Sequence, residues 1–285
     1  MFELCWLVKR NIKLFLKDKR SMVTTFFSPI ITIFLFVLFG YYLFENQVNL
    51  PSDTPNLREI KNQFIDGSLL VGLLGITTLT SAISLSIFMV KDAEKKIFND
   101  LITTPIKPSL IRASYLIVNV LLNIFITTLL YFLVLIYMAI RGTVSIISAL
   151  KGLEIFAIIV LAAMMNSIFF GFVFSYIKNV SIFSALSGAL SSISGFFIGA
   201  FIPLTVLPVA IQGFATIIPA TQTTSLLRYL VFSDISQFNG FASQFNITWA
   251  SLDMPWYGSL IYALSFASIV GILTITLRYN AKESR

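Results

Sequence analysis

Six uncharged, strongly apolar runs, each about as long as a bilayer is thick, restrict this chain to very few folds. They cover residues 23–44, 69–90, 113–140, 155–177, 180–202 and 257–277, and a membrane-crossing helix needs ~20 such residues. Strands of a membrane barrel would alternate apolar and polar side chains, and these runs do not. The chain is read as all-α: a polytopic membrane protein of six transmembrane helices, forming one transmembrane domain over residues 1–285. Composition agrees, with 12% charged and 57% apolar residues against about 25% charged in a soluble domain.

Prolines shape the region after the fifth run. No charge occurs from Asn179 to Leu227, but Pro203, Pro208 and Pro219 interrupt the stretch, and a single helix cannot pass three prolines. One or two short helices are expected here, roughly over 206–217 and 222–232, dipping into the outer leaflet ahead of a polar loop over 233–253. Residues 203–253 are thus an extracellular re-entrant region. Residues 45–68, with Pro51, Pro55 and mixed charge, read as a polar loop.

Basic residues set the orientation. Of the 20 lysines and arginines, 15 fall in the N-terminal segment, residues 91–112, Lys178 and the C-terminal tail. The positive-inside rule therefore puts both termini in the cytoplasm, and the net charge of +7 calls for no nucleic acid partner. Lys9, Lys13 and Lys17 recur every four residues, with Leu4, Leu7, Leu14 and Phe15 roughly opposite. Residues 1–22 are accordingly expected to form an amphipathic helix lying on anionic lipid, with Asn11 interrupting its apolar face.

The remaining polar island, residues 91–109, is unusual for a short loop between membrane helices. Lys91, Asp92, Glu94, Lys95, Lys96 and Asp100 lie beside an apolar ridge of Ile97, Phe98, Leu101 and Ile102, and Pro105 and Pro108 end the pattern. One amphipathic helix of a few turns is expected, presenting its ridge to a partner in the water.

Several chemistries find no support. There is no histidine and a single cysteine, Cys5, so neither a disulfide nor a metal constellation is indicated. No phosphate-cradling G-x-x-x-x-G-K-[ST] loop occurs. Ionisable groups are absent from the cores of the apolar runs, Glu154 and Arg228 lying near edges, which disfavours an ion-coupled secondary transporter. In the fifth run Ser184, Gly188, Ser192, Gly195 and Gly199 make a row of small residues suited to close helix contact, either within the chain or between two copies. Ser, Thr and Gly in the second run suit packing or the lining of a pathway, and the 28 phenylalanines are apolar filler or the lining of a slot for an amphiphile.

Taken in order, four features resemble the ABC-2-type permeases, the membrane subunits of ATP-binding-cassette exporters. They are the basic N-terminal helix; Glu94–Pro105, EKKIFNDLITTP; the glycine- and proline-punctuated stretch from Gly195 to Pro208; and Ile218-Pro219-Ala220-Thr221 followed by Leu227-Arg228. One departure stands out: the family more usually carries a glycine after the charged start of the island, where this chain has Lys96-Ile97. The resemblance implies a coupling helix over Glu94–Leu101, with Glu94, Lys95, Ile97, Phe98, Asp100 and Leu101 docking a separate ATPase subunit. It implies a second permease copy, and an outer gate around Pro203, Pro208, Pro219 and Arg228. It further implies that no cofactor binds this chain directly, ATP-Mg residing on the partner, and that the site of action is the bacterial plasma membrane. The cargo would be an amphiphile such as a drug, lipid or peptide, with a polysaccharide or glycolipid as the alternative.

Overall fold

A computed structural model describes residues 2–35, 38, 42, 57–103, 106–200, 204, 208–233, 248–249, 252–253 and 256–276. The elements are α1 (Phe2–Lys17), α2 (Lys19–Leu35), α3 (Leu57–Leu85), α4 (Ile87–Glu94), α5 (Ile97–Ile102), α6 (Pro108–Arg141), α7 (Ala149–Phe174), α8 (Val180–Phe197), α9 (Val209–Ile217), α10 (Pro219–Phe232) and α11 (Trp256–Thr276). A two-residue antiparallel pair, Thr248–Trp249 against Leu252–Asp253, is the sole departure from helix among them, apart from a 3-10 turn at Val144–Ile146. Five segments are long and apolar enough to cross a membrane: Arg58–Glu94, Pro108–Arg141, Ala149–Phe174, Val180–Phe197 and Trp256–Leu273. The first expected span, 23–44, lies partly outside the described residues, and α2 covers its start.

Composition does not distinguish these segments; burial does. The most apolar window of Arg58–Glu94 is 78% buried, against 33% for Pro108–Arg141 and 11% for the last segment. The α3 helix is therefore the axis of the bundle, with α2, α6, α7, α8 and α10 packed round it. Gly75 shows how close that packing is, since a methyl there would overlap the Thr224 side chain of α10.

One expectation is corrected at the start of α3. Residues 57–68, read as the end of a polar loop, are helical. Ile60, Phe64 and Ile65 bury one face, and Phe64 stacks on Phe232 with ring centroids 5.4 Å apart. Tertiary burial outweighs the polar composition there.

Hydrogen bonds lock α3, α6 and α7 together at mid-bundle. Asn119, Asn123 and Thr127 recur at four-residue spacing on α6 and are buried. Asn123 Nδ2 donates to the Thr78 carbonyl at 2.9 Å and to Ser167 Oγ at 3.3 Å. Ser167 Oγ donates to Asn119 Oδ1, and Asn119 Nδ2 to the Ala82 carbonyl, both at 3.0 Å. Asn166 Nδ2 reaches Thr78 Oγ1 at 3.3 Å. Within lipid such bonds are worth about 1 kcal/mol each, and removing one partner strands the others. Asn123→Leu is expected to destabilise the bundle by roughly 1–3 kcal/mol, seen as a lower thermal unfolding temperature in detergent, while Leu133→Ala on an exposed face stays within about 0.5 kcal/mol of the parent.

Candidate functional site

The polar island is not one helix. The α4 helix extends the axis of α3 as far as Glu94, and α5 starts afresh at Ile97. Between them Lys96 takes a left-handed backbone, φ 58°. A coupling helix continuous over Glu94–Leu101 is thus corrected to an elbow: Glu94 ends one helix, Lys95 and Lys96 make the bend, and a six-residue helix follows.

Three neighbours hold the elbow. The buried Asp92 accepts from Arg10 Nη2 at 3.0 Å and from the Tyr115 hydroxyl at 2.5 Å. Arg10 also donates to Asn11 Oδ1, and Asn11 Nδ2 donates to Ser114 Oγ of α6 at 3.1 Å. Asn11 is therefore a buried contact of α1 with α6, flanked by Leu7 and Phe15, rather than a flaw in an apolar face. The second hold is Lys91, which donates to Asp18 Oδ2 at 2.6 Å and to Ser21 Oγ at 2.8 Å. Asp18 in turn receives the Ser21 backbone N–H and so caps α2. The third is Glu94 Oε1, which accepts the Val180 N–H at 3.0 Å, at the N-terminus of α8.

These ties redistribute the residues that the sequence singles out. Lys95, Lys96 and Asp100 are exposed. Ile97 is half-buried. Leu101 turns inward against the Leu7, Ile111 and Tyr115 cluster, which takes it out of the outward ridge. The Phe98 side chain lies outside the described residues.

At the other end of the bundle, α8 stops at a left-handed Gly199, φ 68°. Ala200 N–H bonds the Gly195 carbonyl at 3.1 Å and Gly199 N–H the Phe196 carbonyl at 3.2 Å, a glycine stop of the Schellman type. Arg228 is buried in α10, and its Nη2 donates to the Gly199 carbonyl at 2.7 Å. Gln222 Nε2 bonds the Thr216 carbonyl, and Tyr262 of α11 bonds the Ile217 carbonyl, at 2.9 and 2.7 Å. Pro208 precedes α9 and Pro219 opens α10, the position proline favours. Pro203 lies outside the described residues. The row of small residues divides: Ser184, Gly188 and Ser192 are exposed, with nothing within 4 Å of where a Gly188 methyl would sit, whereas Gly195 and Gly199 are buried.

Between these two ends an apolar cavity of about 180 Å³ lies among α3, α7, α8 and α9. Among the described residues no group of three His, Cys, Asp or Glu is placed to hold a metal.

The family profile for the ABC-2 type transporter matches residues 3–232. This chain belongs to the ABC-2 type transporter family. No curated protein matches it closely enough to add a nearer relative. The family is the membrane component of ATP-binding-cassette transporters, and the chain is accordingly a multi-pass permease. At the bend of its island this ABC-2 permease holds Lys96 in a left-handed conformation, φ 58°.

Sequence reasoning missed Asp66, Asp92 and the three asparagines of the bundle. Asp92 was one charge among many, and Asp66 sat in a stretch read as loop. Asp66 is fully buried and accepts from Arg141 Nε at 3.1 Å and Thr143 Oγ1 at 2.6 Å. A helical periodicity over 57–68, placing Ile60 and Phe64 on one face, was the available signal.

Two predictions concern the elbow. A left-handed backbone costs an ordinary residue roughly 1–2 kcal/mol, part of which glycine gives back in chain entropy. Lys96→Gly is therefore expected to be neutral or stabilising by about 1 kcal/mol, and Lys96→Val destabilising by roughly 1–2 kcal/mol, in thermal unfolding. The second is a pH dependence. Hydrogen bonding from Lys91, reinforced by Ser21 against partial burial, holds the Asp18 carboxyl well below its usual range, at about 2. A depressed carboxyl contributes stability that is complete above its unfolded value, about 4, and that disappears as pH falls through the folded value. Asp18→Asn is expected to lower the unfolding temperature at neutral pH, with the difference from the parent shrinking as the pH drops below 4 towards 2.

Proposed function

We propose that this chain is the permease subunit of an exporter that moves an amphiphile out of a bacterial cell, with ATP-Mg bound and hydrolysed on a separate ATPase subunit docked at the elbow. The carrying observation is the elbow itself: a short helix held at the end of the axial helix by Asp92, Lys91 and Glu94. A loop with no mechanical duty needs no such bracing. A load applied to α5 passes directly into α4 and α3, and through Glu94 into α8. The lysine and arginine distribution supports a cytoplasmic position for this end. Lys95, Lys96 and Asp100 are the exposed charges that a partner would meet there.

Two copies acting together are supported by the row Ser184, Gly188 and Ser192, which is exposed among the described residues. The helices α9 and α10, latched by Arg228, would form the outer cap, reached without crossing the bilayer again. An amphiphilic cargo is supported by the apolar cavity, whose lining suits a polysaccharide poorly.

Co-purification with an ATP-binding-cassette ATPase encoded beside this chain tests the reading. The ATPase is expected to co-elute with the parent. Lys95→Glu combined with Asp100→Lys reverses exposed charges without touching the packed face of the elbow, and is expected to weaken the association by about tenfold or more, as removal of interface charge pairs does. Retention of the ATPase by this variant, at parental affinity and with normal elution of the permease, would refute docking at the elbow.

A further inference from the structure

The cavity between α3, α7, α8 and α9 has a definite shape. Its floor is Leu79 and Phe170, both buried. Its walls are braced by rings: Phe169 packs edge-on against Phe170 at 5.0 Å, and Phe197 against Phe214 at 5.7 Å. Phe170 is backed by Phe174, and Phe174 by Phe183 at 4.7 Å, so the far side of the wall is solid. The mouth is different. Val173, Leu190, Ile193 and Phe214 lie there, and their exposure runs from 36% to 59%. The first three belong to α7 and α8, both long and apolar enough to cross a membrane. The surroundings of that mouth are therefore hydrocarbon, not water.

The chemistry of the lining is as restrictive as its position. Ser194 is the one polar residue among the described residues that line it, and its hydroxyl already donates to the Ser191 carbonyl at 2.7 Å. Among the described residues of the lining only the acceptor side of that hydroxyl is left to meet a polar group, so a charged or strongly hydrogen-bonding occupant would lose its solvation with little return. Size narrows the field again. Pockets for whole drug-sized molecules run from about 300 Å³ upwards, and a dry cavity of about 150 Å³ takes one benzene ring. At about 180 Å³ there is room for one apolar chain segment or one ring. An empty space of that size is destabilising in proportion to its volume, and its braced walls cannot collapse to remove it.

We propose that this cavity binds the apolar tail of a membrane amphiphile, entering sideways between α7 and α8 while the polar head stays outside. The chemistry is that of an unbranched alkyl chain, supplied either by a bilayer phospholipid or by the transported cargo. Only the second source rests on the exporter reading. Tail binding itself needs no ATPase, so its failure and the failure of that reading are separate results.

The test uses the full chain alone in phosphatidylcholine vesicles, with two probes carrying a diazirine near the tail end: a phosphatidylcholine and a single-chain dodecyl phosphocholine. After illumination, mass spectrometry locates the adducts. Labelling of Phe169, Val173 and Ile193 is expected to exceed that of the lipid-facing α11 residues Ile269 and Ile272. Ile193→Trp, which fills the mouth, is expected to cut cavity labelling about tenfold, the loss of burial of roughly two methylenes, while α11 labelling is unchanged. Should that variant fail to reach the vesicles, Val173→Trp fills the same opening. A stronger signal from the single-chain probe assigns the site to cargo, and a stronger signal from the phospholipid assigns it to a resident lipid; both support the site. Labelling equal to that of α11, or insensitive to both tryptophans, would mean bulk lipid contact only and overturn the proposal. So would an absence of labelling together with a disulfide between two copies carrying Ile193→Cys on a Cys5→Ser background, which would make the mouth a protein interface.

Discussion

Two buried carboxylates, one at each end of the axial helix, hold this bundle in register. Asp66 receives Arg141 and Thr143 from the end of α6, and Asp92 receives Arg10 from α1 and Tyr115 from the start of α6. Twenty-six residues at 1.5 Å each separate them by about 39 Å, close to the ~40–45 Å thickness of a bilayer including its headgroup zones. A separation of that size puts each carboxylate beyond the ~30 Å hydrocarbon core, at the level of the headgroups, and each is sheltered from water by protein. Removing one partner from such a cluster leaves a charge with neither water nor counter-ion, which is costly. The consequence is positional. The helix can tilt with its neighbours, but it cannot slide or rotate against α6 without breaking both ends.

Much of this was legible in the sequence, and the parts that were not share a cause. Apolar runs and prolines are local signals, and they placed α6, α8, α10 and α11 within a few residues of where they lie. The short helices after Pro208 and at Pro219 follow directly from what proline allows at a helix start. The bend at Lys95-Lys96 was hidden because lysine is a good helix former, and the break comes from contacts far away in the chain. Asp92 and Glu94 are fixed by α1, α6 and α8, so the strand of charges that looks continuous in sequence belongs to three different interfaces. Residues 57–68 were misread for the same reason. Their polar composition hides one apolar face, and Phe232, its stacking partner, is far along the chain.

The membrane-embedded asparagines show a different limit. A search for charges inside the spans finds none at mid-bundle, yet Asn119, Asn123 and Asn166 are all fully or nearly fully buried there. Amide side chains do the work that salt bridges do in the elbow, at lower desolvation cost. They join α6 and α7 to the backbone and hydroxyls of α3. In lipid the hydrophobic effect does not hold helices together, so close packing and such bonds must. The axial helix is consequently pinned at its ends by ions and along its length by amides.

That arrangement bears on how a force at the elbow would reach the cavity. Helix α3 supplies the floor of the cavity through Leu79, and α8 supplies one wall through Leu190, Ile193 and Phe197. The elbow is bonded to both, to α3 through α4 and to α8 through Glu94 and the Val180 N–H. The α6 and α7 helices follow α3, because the amide bonds tie them to it. By contrast, α8 carries an exposed small-residue face, and among the described residues no amide bond of this kind joins it to α7. A displacement of α5 therefore divides into a part that moves the axial group as a body and a part that pulls on α8 alone. The difference between the two parts is a relative motion of floor and wall, and it falls across the apolar cavity beside α7 and α8.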